Sequence, residues 1–207
     1  MLKRQRKKKD ALEDEDVEHV IELGDAKFRQ GHFTRAIDHY DAVLKRAPTN
    51  FRALHNKGLA FFALKKYEQS IECYNKALAI RPRQLRVMLN KAISLNSKRD
   101  FEGAKKVLDE IMKLAPANKE ALNARALSEF NLGLDTEGML DLRKAIEIDP
   151  CYTMAWNNLG CFHLGLGELE AAVECFDRVL TIDEKNYDAL LLKNEALERQ
   201  EREAKHG

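Results

Sequence analysis

The stretch GCFHLGLGELEAA, Gly160 to Ala172, holds three glycines within eight residues, and Gly165-Leu166-Gly167 opens in the manner of a nucleotide-binding loop. A phosphate cradle of that kind follows a strand and opens a helix within a βαβ unit. No strand-like run precedes Gly160. The stretch instead recurs. Moving upstream 34 residues at a time gives ALSEFNLGLDTEG (126–138), AISLNSKRDFEGA (92–104), GLAFFALKKYEQS (58–70) and GDAKFRQGHFTRA (24–36), aligned without a gap. A fixed period of this length marks a stacked-repeat architecture.

Certain positions of the unit keep one chemistry. Each segment starts on Gly or Ala and ends on Ala, Ser or Gly. Phe33, Tyr67, Phe101 and Leu169 stand three before that end, and Asp135 breaks the series. Four residues beyond the end lie Tyr40, Tyr74, Leu108, Leu142 and Phe176. Twelve beyond lie Pro48, Pro82, Pro116 and Pro150, with Glu184 in the last copy. Small residues let two helices approach closely, and bulky ones fill the space beside them. Proline closes the second helix, because it cannot continue the hydrogen-bond ladder. Each unit therefore reads as a helical hairpin that buries its apolar face only by stacking on its neighbours.

The pattern resembles the tetratricopeptide repeat. The resemblance covers five units, 17–50, 51–84, 85–118, 119–152 and 153–186, after a charged N-terminal tail, 1–16. The fifth unit fits best, through Trp156, Leu159, Gly160, Ala172, Phe176 and Val179, and the fourth least, through Asp135 and Gly138. The implied fold is an all-α right-handed solenoid of about 11 helices. Residues 187–207 would form a C-terminal capping helix, with Leu190, Leu192 and Leu197 covering the last hairpin.

Composition narrows the function. Apolar residues make up 44 % of the 207 and charged residues 33 %. No apolar run is long enough to span a bilayer, and the charged N-terminus is unlike a secretory signal. Cys73, Cys151, Cys161 and Cys175 form no CxxC pair and read as reduced thiols of a cytoplasmic protein. The six histidines form no HxxxH pair and none follows a cysteine at zinc spacing, so no metal or other cofactor is expected. Cys161 and His163 lie two apart on a helix and point to different faces. No GxSxG or Gly-Lys-Ser/Thr element is present. These readings favour a non-catalytic protein without a small-molecule substrate.

In the resembled fold the first helix of each hairpin lines a concave groove, with its second, fifth, sixth and ninth residues facing inward. The sixth residues here are Glu22, Asn56, Asn90, Ala124 and Asn158. Asn56, Asn90 and Asn158 resemble the asparagine ladder of some family members, where the side chains hold an extended peptide backbone. An Asn amide suits that role, since it donates and accepts at once; the bland alternative is that these amides bridge neighbouring helices. The ninth residues add Leu59, Ile93 and Leu127, and Phe62 and Phe130 follow one turn on. This row is either an apolar floor for a bound segment or part of the inter-repeat core. Arg52 and Arg86 lie four residues before Asn56 and Asn90, forming a cationic, amide-rich candidate site for a carboxylate or phosphate. The dicarboxylate clamp of chaperone-binding family members is not matched. Asn56 and Arg86 fit it, but Ile21, Asp25 and Asn90 do not.

The expected function is a protein–protein adaptor that binds a peptide segment of its partner in the groove. A second reading is a self-associating scaffold or the recruitment arm of a larger complex. Residues 51–118 carry 14 basic and 6 acidic side chains, residues 119–186 carry 6 and 13, and such halves could meet head to tail. The basic run 3–9 is a solvated tail on the plain reading and a nuclear-import signal on the functional one. The acidic block 10–18 beside it argues against a nucleic-acid contact.

Overall fold

A computed structural model describes the backbone of residues 2–206 and the side chains of residues 16–204. The side chains of the basic run 3–9 lie outside the described residues. The fold is an all-α solenoid of helical hairpins, with no strand among the described residues. The chain divides into two compact units, Met1–Arg99 and Asp100–Gly207. The first holds α1 (Leu2–Arg29), α2 (Phe33–Arg46), α3 (Phe51–Ala63), α4 (Tyr67–Ile80) and α5 (Leu85–Ser97). Within it α1 pairs with α2 and α3 with α4, and α5 stacks on α4. The second holds α6 (Phe101–Leu114), α7 (Lys119–Asn131), α8 (Asp135–Ile148), α9 (Thr153–Leu166), α10 (Leu169–Ile182) and α11 (Tyr187–His206). Within it α7 pairs with α8 and α9 with α10, while α6 packs on α7 and α11 on α10.

Local signals explain where the helices begin and end. Asn50 and Asn118 cap α3 and α7 by accepting from the amides of Ala53 (2.9 Å) and Ala121 (2.8 Å). Asn186 accepts likewise from Ala189 (3.0 Å) at the head of α11. α2, α4 and α8 stop two residues before Pro48, Pro82 and Pro150, yet α10 stops at the equivalent Ile182 with Glu184 in the proline position. There the amide of Asp183 still bonds to the Val179 carbonyl at 2.8 Å while its backbone turns extended. Proline thus reinforces a stop that the backbone makes without it.

The turn inside each hairpin demands one left-handed residue. Gly31, Lys65, Arg99, Gly133 and Gly167, spaced by the repeat, have φ of 77°, 58°, 69°, 75° and 79°. The next amide reaches back over the helix end, as from Glu168 to the His163 carbonyl at 2.9 Å, closing a Schellman turn. Gly167 is therefore the glycine of the Gly165-Leu166-Gly167 triplet that the turn requires, and α9 ends there.

Gly160 has a different reason. A Cβ added to it would lie 2.7 Å from Cε1 of Phe176. The same added atom at Gly24 would lie 2.7 Å from Cε1 of Tyr40, and at Gly58, 2.5 Å from Cε1 of Tyr74. Where the small residue is Ala126, its counterpart is Leu142, and both sit fully buried in one apolar cluster. Glycine thus pairs with a ring and alanine with leucine. The rings are themselves buried, Tyr40 and Tyr74 at 1 % exposure and Phe176 at 0 %.

Two outcomes follow from this packing. Gly58→Ala should lower stability by about 1–2 kcal/mol by overpacking, outweighing the helix propensity alanine adds. Combined with Tyr74→Leu, it should recover about 1 kcal/mol or more relative to the sum of the single changes. Urea unfolding midpoints read both, and strict additivity would contradict the pairing. Lys65→Gly should instead stabilise by about 1 kcal/mol, because it relieves a left-handed side chain; a lower melting temperature would refute that account.

Candidate functional site

In the first unit, the inward positions of α1 and α3 meet at Asp25. Its Oδ1 accepts from the Tyr40 hydroxyl (2.8 Å) and from Asn56 Nδ2 (2.7 Å), and its Oδ2 accepts from Arg52 (2.6 Å). Arg52 also pairs with Glu18. Its charge is thereby neutralised within the protein. Arg86, at the same position one repeat on, is exposed and makes no ion pair among the described residues. Of the two arginines expected to form a cationic patch, Arg86 is the one whose charge this face leaves available.

Asn90 Nδ2 donates to Nε2 of His55 at 3.0 Å. An amide nitrogen only donates, so the acceptor ring is neutral, with its proton on Nδ1. Burial, then the charge of Arg86, holds the His55 pKa below the ordinary imidazole range, consistent with that state. Beside Asn56, a hollow of about 160 Å³ is lined by Asp25, Phe28, Arg29, Tyr40, Asn56 and Leu59. Ile93 is half-buried on α5, and the Phe62 ring packs against Tyr67 at 5.7 Å near the hairpin turn.

In the second unit, Asn158 Nδ2 donates to Asn123 Oδ1 at 2.8 Å. The neighbouring Asn157 keeps a buried Oδ1 without a hydrogen-bond partner among the described residues. Leu127 and Phe130 pack on the buried cluster around Leu142 and Phe162, and the Phe130 ring stacks on Phe162 at 4.1 Å. These two residues therefore contribute to the inter-repeat core, and only their half-buried edges remain at the surface.

The three asparagines share one arrangement. Each gives one amide N–H to the preceding repeat, at Asp25, His55 or Asn123, and each is half-buried. An asparagine has a second N–H and a carbonyl oxygen, and these make no further bond among the described residues. The bridge fixes the plane of the amide and leaves half of its hydrogen-bonding capacity available.

Spacing by type did not single out the most heavily charged cluster of the second unit. Arg125 on α7 forms a fork with Asp141 of α8 (2.6 and 2.9 Å) and bonds Asp109 of α6 at 2.9 Å. Lys105 lies 3.2 Å from Asp109 and 3.6 Å from Glu129. Glu129 is 3 % exposed, and its Oε2 has no hydrogen-bond partner among the described residues. Burial, and next the charge of Asp141, push its pKa above the usual carboxylate range against the pull of Arg125 and Lys105. A signal for this cluster was present in the sequence. Asp41–Lys57, Asp109–Arg125 and Asp177–Lys193 each pair opposite charges across 16 residues, at 2.5, 2.9 and 2.5 Å.

Three of the four thiols are buried or half-buried, and Cys151 is exposed. Burial pushes Cys73 and Cys175 up to about 11 and raises Cys161 as well, away from the thiolate that nucleophilic chemistry needs. His163 is held by Glu168 at 2.5 Å and not by Cys161. Among the described residues, no helix is long and apolar enough to cross a membrane.

Comparison with known proteins agrees with this geometry. Family models described as tetratricopeptide repeat match residues 21–84, 89–151 and 154–186. The Arabidopsis thaliana Protein CTR9 homolog is 34 % identical over 82 residues, 39 % of this chain and 8 % of that protein. Hsp70-Hsp90 organizing protein 3 of the same plant is 32 % identical over 85 residues, 41 % of this chain and 15 % of that protein. The matched segments thus span only a small part of these longer relatives. The solved structure of Pseudomonas aeruginosa pilF superposes with a TM-score of 0.74 at 20 % identity, covering 91 % of this chain and 86 % of that one. At that identity the likeness concerns the fold.

Glu129 gives this region a pH signature. A carboxyl whose folded pKa is raised adds stability below its unfolded pKa and loses that contribution as pH rises through the folded value. Glu129→Gln should therefore melt higher than the wild type at about pH 8, with the gap closing as the pH falls towards about 4. A constant gap in thermal melts across that range would contradict the assignment.

Proposed function

We propose, on the premise that this chain belongs to the tetratricopeptide repeat family, that it is a non-catalytic adaptor gripping an extended segment of a partner protein along the inner faces of its repeats. Repeats of this family are protein–protein interaction modules. The observation that carries the finer reading is the shared state of Asn56, Asn90 and Asn158. Each amide is pinned from one side and makes no other bond among the described residues. A strand's backbone offers alternating N–H and C=O groups, which such amides can meet without regard to side chains. Each bond nets about 0.5–1.5 kcal/mol, so affinity would be moderate once ordering costs are subtracted.

Selectivity would come from Arg86 and from the hollow between Phe28 and Leu59. The first favours an acidic side chain and the second a small apolar one. The resemblance to part of Hsp70-Hsp90 organizing protein 3 does not lead us to propose chaperone-tail binding. Asp25 is held by Arg52, Tyr40 and Asn56 where a dicarboxylate clamp needs a neutral or basic side chain. A cytoplasmic setting is supported by the four free cysteines.

Fluorescence anisotropy against a panel of extended peptides tests the reading. Asn56→Ala/Asn90→Ala should weaken binding about 10-fold or more with helicity unchanged. Arg86→Ala should weaken acidic peptides more than neutral ones, by a margin that shrinks in salt. Unaltered affinity in a folded double variant would leave these amides with a bridging role alone.

A further inference from the structure

The hairpin turns of the two units carry opposite charge. In the first unit, the turns after α1, α3 and α5 bring Arg29 and Arg35, Lys65 and Lys66, and Lys98 and Arg99 to the surface. These turns are neighbours. Phe28, Phe33 and Leu64 pack on one apolar cluster, and Lys98 lies 3.5 Å from Glu68 near the head of α4. Glu68 is the one carboxylate within residues 27–35, 63–70 and 96–99. Arg29, Arg35, Lys65, Lys66 and Arg99 make no ion pair among the described residues.

In the second unit α6 opens on Glu102, α8 on Asp135 and Glu137, and α10 on Glu170. These turns adjoin in the same way. Lys105 of α6 reaches Glu129 near the end of α7, and a Cβ on Gly165 would lie 3.3 Å from the Phe130 ring. Residues 100–104, 130–138 and 164–171 hold no lysine or arginine. Asp100 caps α6 through the Gly103 amide, and Glu168 is bonded to His163. Glu102, Asp135, Glu137 and Glu170 make no ion pair among the described residues.

Helix dipoles do not account for this division. Each turn joins a helix end, which favours a cation, to a helix start, which favours an anion. Every turn can therefore carry both signs. The first unit loads its helix ends with cations and sets Arg35 in the first turn of α2, where an acid is favoured. The second loads its helix starts with acids and leaves the ends of α7 and α9 without lysine or arginine. Lys65 and Arg99 also hold the left-handed position that Gly133 and Gly167 hold in the second unit. The basic side chains are kept there at a conformational cost.

We infer that the basic turns of the first unit dock on the acidic turns of the second unit of another copy of this chain. Both rows belong to 34-residue repeats and present one turn per repeat. Their charges therefore recur at a common pitch, and each sign that lacks a partner within its own unit meets the opposite one. Exposed ion pairs contribute little one by one. The association is accordingly weak and falls with salt, while the complementary rows speed encounter and fix orientation.

Sedimentation velocity over a concentration series tests this. At low salt the chain should self-associate, and in about 0.5 M salt it should sediment as a monomer. Arg35→Glu/Lys66→Glu and Glu137→Lys/Glu170→Lys should each weaken self-association about 10-fold or more, with unchanged circular dichroism. An equimolar mixture of the two variants should associate again, because the unaltered acidic row of the first meets the unaltered basic row of the second. A monomer in low salt at the highest soluble concentration overturns the proposal. Self-association that survives salt, or that survives either pair of reversals, also overturns it. A mixture that stays monomeric rejects a second copy as the occupant and leaves the two rows to partners of opposite charge.

Discussion

A missing Cβ governs how closely the hairpins close. At Gly24, Gly58 and Gly160 an aromatic ring from the following helix occupies the volume that a methyl group would take. The ring cannot retreat, because Tyr40, Tyr74 and Phe176 are enclosed on all sides. The helix pair is therefore set by the fit between one small and one large residue, as ridges fit grooves. That spacing decides which residues of the first helix turn inward and which are consumed by the mate. Asn56 lies two residues before Gly58, and Asn158 two before Gly160. The amides thus stand beside the closest approach within their hairpins.

Between hairpins, polar contacts add to packing. Asp41–Lys57, Asp109–Arg125 and Asp177–Lys193 tie the second helix of one copy to the first helix of the next. Exposed pairs of this kind contribute little, and the Arg125 cluster is the exception because Asp141 and Glu129 are buried with it. Gly138 belongs to the same departure. Its missing side chain leaves room bounded by the Ala126 carbonyl, the Phe162 ring and Glu129. The copy that fits the repeat pattern least well is the one that houses charge inside.

The period of 34 residues, the hairpin and the stops of most helices were legible from one sequence, because they depend on residue size and backbone geometry at fixed spacing. The turn was legible only in part. Gly31, Gly133 and Gly167 advertise a left-handed position, but Lys65 and Arg99 occupy it equally, and nothing in those two side chains announces that conformation. The faces were harder still. Ladder and bridge were opposed alternatives for Asn56, Asn90 and Asn158, whereas an amide with two donors can serve a neighbour and retain capacity for something else. Leu127 and Phe130 share the spacing of Leu59 and Phe62, yet Phe130 stacks on Phe162 while Leu59 borders a hollow. Periodicity gives the direction of a side chain and not the neighbour it meets there.

Arg52 and Arg86 make that limit concrete. They hold the same position of successive copies and look interchangeable in the sequence. Arg52 is neutralised by Glu18 and Asp25, which lie 34 and 27 residues before it. The residues at those distances before Arg86 are Arg52 and Leu59, which offer it no carboxylate. A charge in an array of this kind is thus set by the copy behind it as much as by its own. Two acids in the first copy close one arginine, and their absence from the second opens the next. Selectivity along a repeated face can therefore be written without altering the repeat, by changing which copy precedes which.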